Sequence, residues 1–160
     1  MDGNGILRPE LTVAAVVEER GRFLMVEEMV HGKAVFNQPA GHVEPGESLR
    51  EAVIRETLEE SAWHFIPEFI IGIYLWQQPE TQRHFLRVAI RGQLARRERE
   101  RELDEGILRA LWLTPEALRE RAQKLRSPMV LRCIEDYQRG NRLPLEAADP
   151  GALARQASVL

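Results

Sequence analysis

Three glutamates lie close together in one predicted helix, and they are the residues of this sequence best suited to chemistry. Glu56, Glu59 and Glu60 fall between Ser48 and Ala62, where apolar residues recur at a helical spacing. On a helical wheel of about 100° per residue, Glu56 and Glu60 share a face with apolar side chains, and Glu59 lies at its margin. Because an unpaired carboxylate on a buried face is strongly unfavourable, this placement indicates that a cation binds among them.

A divalent metal is the cation that such a carboxylate group suits. Mg²⁺ prefers oxygen ligands, takes a few carboxylates, retains several waters and completes its shell with substrate phosphates. Arg55 precedes Glu59 by four residues, so its guanidinium can hold that side chain in place. The alternative is a surface helix that is rich in Glu and Arg and binds nothing.

The segments around this helix are predicted to be mostly strands. Runs of β-branched and apolar residues predict strands over residues 11–18, 22–28, 34–38, 68–77, 84–94 and 107–113. The first two are expected to form a hairpin around residues 19–21, and the fourth and fifth to pair antiparallel around a polar turn at residues 78–82. Gly41, Pro45 and Gly46 predict a loop, and the charged segment 96–105 predicts a solvated one.

Three helices are predicted, each starting at a capping signal. Ser48 with Glu51 has the spacing of a capping box, Thr114 is followed by proline, and Ser127 is also followed by proline. The predicted helices cover residues 48–62, 114–125 and 128–139. We expect a single domain over residues 1–145 and a loosely held C-terminal tail over residues 146–160.

Composition narrows the class of protein. The 160 residues carry 22 basic and 25 acidic side chains, a net charge of −3, which argues against a general affinity for nucleic acid polymers. A single cysteine, Cys133, excludes an intramolecular disulfide and is expected to be a small buried apolar residue. No segment approaches the roughly 20 apolar residues of a membrane span, and no secretion signal is recognisable. We therefore expect a cytoplasmic protein.

The segment over residues 41–63 resembles the signature of the Nudix hydrolases. That signature reads Gly-x5-Glu-x7-Arg-Glu-U-x-Glu-Glu-x-Gly-U, where U is bulky and apolar. The matching positions at the required spacing are Gly41, Glu47, Arg55, Glu56, Glu59 and Glu60. Thr57 departs from the pattern at a bulky apolar position, and Ala62 stands where a glycine ends the helix. We expect Thr57 to pack through its methyl, and Ala62 to end the helix by another backbone route or slightly later.

The resemblance extends to most of the chain and implies a fold and a reaction. Residues 11–145 are similar to the NudJ-like phosphatase branch of the family, notably at residues 32–42, 85–87 and 125–130. This implies an α/β (α+β) fold, an α/β/α sandwich with a mixed β-sheet between helices. It also implies an enzyme that uses metal-activated water to hydrolyse a diphosphate linkage, in nucleoside tri- or diphosphates or in small organic diphosphates such as hydroxymethylpyrimidine diphosphate.

The resemblance also assigns roles at the metal centre. Glu56, Glu59 and Glu60, with the carbonyl of Ala40, would bind Mg²⁺, for which Mn²⁺ could substitute. Arg55 would orient a ligating glutamate. Glu47 would lie next to the ligands without binding the metal itself. A further acid often comes from the loop before the strand that carries Trp112. Asp104 and Glu105 are the candidates, and Glu105 is our choice, with a solvated loop as the alternative.

Substrate binding is expected from the strands that line the cleft. Phe36, Gln38 and Trp76 would hold a base or pyrimidine ring, Arg87 a phosphate, and Gly41 would let the loop bend around metal and phosphate. For Phe36 and Trp76, core packing is the alternative. The partner would be a small phosphorylated molecule, with no membrane and no nucleic acid polymer, and a homodimer stays open.

Two other functions also stay open at this stage. One is a Nudix pyrophosphatase of another substrate class, such as nucleotide sugars or dinucleoside polyphosphates. The other is a Nudix-fold module that binds a ligand without catalysis. The sequence has no phosphate loop of the form Gly-x4-Gly-Lys-Ser/Thr, no Gly-x-Ser-x-Gly elbow and no Cys-x-x-Cys pair, so other common catalytic motifs are missing.

Overall fold

Nine strands and three α-helices make up residues 5–148, the part of the chain that the computed structural model describes. The strands are β1 (Glu10–Val16), β2 (Glu18–Glu19), β3 (Arg22–Val30), β4 (Lys33–Asn37), β5 (Ala40–His42), β6 (Trp63–Gln77), β7 (His84–Arg97), β8 (Ile107–Leu113) and β9 (Leu143–Pro144). The helices are α1 (Leu49–Ser61), α2 (Pro115–Glu120) and α3 (Met129–Gln138), with 3₁₀ turns at Ala122–Lys124 and Leu145–Ala148. None of the helices in this range is long and apolar enough to cross a membrane.

The strands form two sheets, of which the larger is mixed. Its order is β5-β1-β7-β6-β9, with β1 parallel to β7 and the other neighbours antiparallel. The smaller sheet is centred on β3, which pairs antiparallel with β2, β4 and β8. This arrangement confirms the mixed α/β fold that the resemblance implied.

Helices cover both faces of the larger sheet because β1 is apolar on both faces. Successive side chains of a strand point in opposite directions. Val13 and Ala15 face a core that α1 covers with Ala52 and Val53. Val16 faces a second core, which α2 and α3 cover with Leu118, Val130, Cys133 and Ile134. Cys133 is fully buried, as predicted. The result is a sandwich with α1 on one side and α2 and α3 on the other.

The hairpin predicted from residues 11–18 and 22–28 forms only next to its turn. Only Glu18 and Glu19 pair with Phe23 and Arg22, whereas β1 joins the larger sheet between β5 and β7. A strand that is apolar on both faces is better buried inside a sheet with helices on either side than at the edge of a hairpin.

Two predicted loops are partly strands. Residues 40–42 form β5, which pairs with β1 at Ala14 through Thr12. β7 continues to Arg97, into the charged segment at 96–105, because Trp63 at the start of β6 pairs with Arg97. The guanidinium of Arg97 also lies over the Trp63 ring, 6.0 Å from its centroid.

The second and third helices also differ from the prediction. α2 ends at Glu120 rather than near Leu125, because Leu125 bridges to Phe36 and the Arg126 N–H donates to the Phe36 carbonyl at 2.8 Å. α3 begins at Met129 with Pro128 as its N-cap residue, and no side chain caps it. The serine before Pro128 therefore does not act as the predicted helix cap.

The end of the described chain packs onto the sheet. Leu143 and Pro144 pair with β6, and Leu145 is buried in the core beneath α1. The 3₁₀ turn at Leu145–Ala148 carries this packing three residues beyond the predicted domain boundary at residue 145. Residues 149–160 of the expected tail lie outside the described residues.

Candidate active site

α1 is fixed at both ends by backbone and side-chain hydrogen bonds. The predicted capping box is confirmed, since Ser48 Oγ accepts from the Glu51 N–H at 3.1 Å and the Glu51 carboxylate accepts from the Ser48 N–H at 2.8 Å. The expectation for Ala62 is wrong. Ala62 takes the left-handed conformation of the missing glycine, with φ 62°, and its N–H donates to the Leu58 carbonyl. The replacement of the motif glycine by Ala62 therefore leaves the left-handed backbone conformation at the helix end unchanged.

Thr57, at the bulky apolar position of the motif, is fully buried. Its hydroxyl donates to the Val53 carbonyl at 2.7 Å, so the polar group is satisfied inside the helix. The buried face of α1 contains Ala52, Val53, Glu56, Thr57, Glu60 and Ser61. The wheel thus predicted correctly that two glutamates share the buried face.

Arg55 holds three of the carboxylates. Its Nε and one terminal nitrogen donate to the two oxygens of Glu47 at 2.6 and 3.0 Å. The other terminal nitrogen donates to Glu56 at 2.8 Å and to Glu59 at 3.1 Å. A further bond runs to the His42 carbonyl at 2.9 Å. The hydrogen bond from Arg55 lowers the pKa of Glu47, so Glu47 stays ionised and anchors the guanidinium.

Glu56 and Glu60 are buried, with 9% and 6% of their surface exposed. Burial raises the pKa of Glu56, and Arg55 opposes this effect. For Glu60, burial and the nearby charges of Glu28 and Glu56 raise the pKa well above its ordinary value of 4.5, although the Ala40 N–H donates to its carboxylate. Glu60 Oε2 has no hydrogen-bond partner among the described residues.

These residues fit a divalent cation. No three His, Cys, Asp or Glu side chains within residues 5–148 are already arranged as a metal site, because Arg55 binds Glu56 and Glu59 instead. Two observations nevertheless favour a cation. Glu60 Oε2 is a buried oxygen without a donor, and a Cβ at Gly41 would overlap the Glu56 carboxylate, so the loop approaches that group closely. A set of carboxylate oxygens suits Mg²⁺.

Of the two candidate acids in the charged loop, Asp104 is the one that acts on this cluster. Its charge raises the pKa of both Glu56 and Glu60, and its N–H donates to the Glu59 carbonyl at 3.0 Å. Glu105 is exposed, as is Asp104, but it is not among the main influences on either carboxylate. The structure therefore brings Asp104, rather than Glu105, to the glutamates of α1.

An open cleft of about 180 Å³ lies beside the carboxylates, since Ala40 and Gly41 line it and both approach glutamates of α1. Its lining residues are Thr12, Glu28, Asn37, Ala40, Gly41, His42, Trp76, Gln78, Phe85, Arg87, Arg126, Ser127 and Met129. The rings of Trp76 and Phe85 are stacked, with centroids 6.0 Å apart. The predicted site residues Ala40, Gly41, Trp76 and Arg87 thus line one cleft.

Phe36 and Gln38 lie behind the cleft wall and are not among its lining residues. Phe36 is buried against Leu125. Gln38 is 1% exposed, its Nε2 donates to the Val130 carbonyl at 2.8 Å, and its Oε1 accepts from Arg87 at 3.0 Å. Both atoms of the amide are used, so Gln38 positions Arg87 instead of facing the cleft.

Sequence reasoning missed several cleft residues. Asn37, which accepts from Arg87 at 3.0 Å, and Glu28 gave no signal beyond their strand positions. Ser127 did have a signal, the Ser-Pro pair, but it was interpreted as a helix cap. Only the fold shows that Ser127 lines the same cleft as Gly41.

Buried carboxylates beside a cleft that also holds arginines are typical of an enzyme that acts on a phosphorylated substrate. The comparisons agree. The NUDIX domain family matches residues 7–133. Phosphatase NudJ of Escherichia coli K12 is 40% identical over 141 residues, which cover 88% of this chain and 91% of that protein. Phosphatase NudJ of Shigella flexneri matches to the same extent. The chain therefore belongs to the Nudix family.

Solved structures support the same assignment. A NUDIX hydrolase from Nitrosomonas europaea is 43% identical, with a TM-score of 0.85 over 88% of this chain and 95% of that one. The MutT protein from Methanosarcina mazei, 23% identical with a TM-score of 0.67 over 86% of this chain and 99% of that one, is similar in fold. The chain is a Nudix hydrolase that acts on phosphate or diphosphate linkages, in a family that generally depends on a divalent metal.

Proposed function

We propose that this chain hydrolyses a diphosphate linkage in nucleoside tri- or diphosphates, or in small organic diphosphates such as hydroxymethylpyrimidine diphosphate, with Mg²⁺ as its cofactor. The observation that carries the proposal is the pair of buried carboxylates, Glu56 and Glu60, beside an open cleft. Glu60 Oε2 lacks a donor, and buried charge of this kind is stabilised when a cation binds it. The similarity to Phosphatase NudJ supports phosphatase action, and the substrates named are those that the resemblance of the sequence implies.

In this proposal Glu56, Glu59 and Glu60 hold the metal, with the carbonyl of Ala40. When bound, a divalent cation neutralises phosphate charge and lowers the pKa of water. Arg55 keeps the glutamates apart and oriented, anchored by its two bonds to Glu47. We assign the role of additional acid to Asp104 instead of Glu105, because Asp104 acts on the same carboxylates.

The substrate occupies the cleft in this proposal. The stacked rings of Trp76 and Phe85 present a flat apolar surface for a base or pyrimidine ring. Arg87 supplies positive charge toward the phosphates. Gly41 lets the loop lie against Glu56, because a side chain there would overlap that carboxylate.

A phosphate-release screen tests this function. Purified protein with Mg²⁺, and separately with Mn²⁺, is incubated with nucleoside di- and triphosphates, hydroxymethylpyrimidine diphosphate, nucleotide sugars and dinucleoside polyphosphates. We expect turnover of the nucleoside di- and triphosphates and of hydroxymethylpyrimidine diphosphate. Glu59→Gln should lower the rate of turnover at least about 10²-fold. Glu116→Gln, at an exposed glutamate of α2, should leave the rate unchanged. Product analysis separates orthophosphate release from pyrophosphate release. Ligand binding without turnover by the wild-type protein would favour a non-catalytic module instead.

A further inference from the structure

The start of α3 faces the cleft without the groups that usually complete a helix N-terminus. Its N-cap residue is Pro128, no side chain caps it, and its first turn holds no acidic residue. Ser127 is 6% exposed, lines the cleft, and its Oγ has no hydrogen-bond partner among the described residues. The N-terminal end of a helix attracts anions through its free N–H groups and its dipole.

Arg87 adds buried positive charge to the same wall. It is 4% exposed, its terminal nitrogens donate to the neutral amide oxygens of Gln38 and Asn37, and it also hydrogen-bonds the Cys133 thiol. Its Nε has no partner within the described residues. Burial raises the pKa of the neighbouring Cys133 thiol to about 11, so this group is neutral and does not balance the guanidinium. A buried cation without a carboxylate favours an anionic ligand.

Arg126 connects this wall to the carboxylate cluster. Its guanidinium is partly exposed and lies 3.9 Å from Glu28, which in turn acts on Glu60. Arg126, Ser127 and Arg87 line the cleft together with Ala40 and Gly41. The cleft therefore has a negative end, suited to a metal, and a positive end at the start of α3.

We propose that Ser127, Arg126, Arg87 and the N-terminus of α3 form a second anion subsite, which binds a phosphoryl group of the substrate directly, without metal. This inference rests on the proposed function, which supplies the first phosphoryl group at the carboxylates. It adds that Ser127 and Arg126 are binding residues for the second phosphoryl group of the diphosphate.

Inorganic phosphate in EDTA tests the subsite without turnover. We titrate phosphate into the metal-free protein and follow thermal unfolding, with ionic strength matched by KCl. Without metal the carboxylates repel phosphate, so stabilisation reports the positive end alone. We expect Ser127→Ala to weaken phosphate binding about tenfold, because it removes a hydrogen bond to a charged group, and Arg126→Ala about threefold. Arg126→Lys retains the charge and most of the binding.

Control variants separate this role from a structural one. Arg119→Ala is the matched control. Arg119 is also partly exposed and has a long ion pair of 3.8 Å to Glu116, but it is not among the residues that line the cleft. The Arg119→Ala protein should bind phosphate like the wild type. Since Ser127 Oγ has no hydrogen-bond partner within residues 5–148, Ser127→Ala should not lower Tm without phosphate. A lower Tm with unchanged phosphate binding would show a structural role and overturn the proposal.

Two further results bear on the subsite. Phosphate that stabilises the wild-type protein no more than KCl would overturn it. In the Mg²⁺-loaded enzyme, inorganic phosphate should inhibit by competition with substrate, less in Arg126→Ala than in the wild type, and equal inhibition of both would also contradict it. The EDTA titration needs no catalysis, so it tests the subsite alone. Failure of the proposed function would instead appear as absence of turnover in the phosphate-release screen.

Discussion

Glu60→Gln should stabilise the metal-free protein while it removes a proposed metal ligand. In the wild type, Glu60 is buried, Oε2 lacks a donor, and Glu28 and Glu56 repel the charge. Glutamine has almost the same shape and is neutral, and its amide N–H groups can donate to those two carboxylates. The substitution therefore replaces repulsion with attraction in the absence of metal.

The size of this gain follows from the surroundings of Glu60. A buried polar group without a hydrogen-bond partner lowers the free energy of unfolding by about 1–3 kcal/mol, and by more when it is charged. The hydrogen bond from the Ala40 N–H to the Glu60 carboxylate offsets part of this loss. We expect a net gain of about 2 kcal/mol in the free energy of unfolding. For a chain of this size that corresponds to a Tm increase of about 4–8 °C.

The gain should depend on pH in a defined direction. The pKa of Glu60 in the folded protein lies above its ordinary value of 4.5. Near pH 4.5 the folded protein keeps the proton, so there is no charge for the substitution to remove. As pH rises through the folded pKa, the wild type loses stability and the glutamine variant does not. Thermal unfolding in EDTA at pH 5 and pH 7.5 should thus show a larger Tm difference at pH 7.5.

Glu59→Gln is the matched control, because it makes the same chemical change one position earlier in the helix. Glu59 is more exposed and accepts a bond from Arg55 at 3.1 Å, so its neutralisation should lower stability by about 0.5 kcal/mol. Mg²⁺ should raise the Tm of the wild type more than that of Glu60→Gln. A Glu60→Gln protein that is less stable than the wild type at pH 7.5 in EDTA, or equally improved at both pH values, would refute this reasoning.

Three other substitutions test separate parts of the structure. Gly41→Ala should reduce kcat about 10²-fold, because its Cβ would displace the Glu56 carboxylate; unchanged steady-state kinetics would contradict the close approach. Trp76→Ala should raise KM with little change in kcat, since it removes the ring stacked on Phe85, and a pure kcat effect would argue against a binding role. Tyr74→Phe should lower the free energy of unfolding by about 1 kcal/mol through loss of its 2.9 Å bond to Asp136 and leave turnover unchanged, as urea denaturation and the phosphate-release assay can check.

The helix that carries the glutamates could be predicted because its signals are local. The capping box of Ser48 and Glu51 marks its start, and the wheel places Glu56 and Glu60 on the buried face. Both depend on residues three or four apart in one helix. A single helix therefore contained most of the information about the metal site.

The strand partners could not be predicted in the same way, because pairing depends on distant residues. The alternation in β1 indicates a strand but not that its parallel neighbour is β7, some 70 residues later. Ser127 shows the same limit, since the Ser-Pro pair is a good local helix signal, yet the serine side chain faces the cleft. Gln38 was assigned to the substrate for its chemistry, although Arg87 on another strand uses its amide.

Most of the buried polar atoms without a hydrogen-bond partner in residues 5–148 lie around one place in this fold. Within residues 5–148, four buried side-chain atoms lack a hydrogen-bond partner, on Glu60, Arg87, Arg91 and Ser127. Arg91 packs against the Tyr137 ring, 5.5 Å from its centroid, on the far side from α1. The other three line the cleft or contact residues that line it. Unsatisfied buried groups are unfavourable and rare, and they are expected at functional sites. One of these atoms is an acceptor that a cation would satisfy, and the other two can donate to an anion, so their positions agree with the proposed metal site and the proposed phosphoryl subsite.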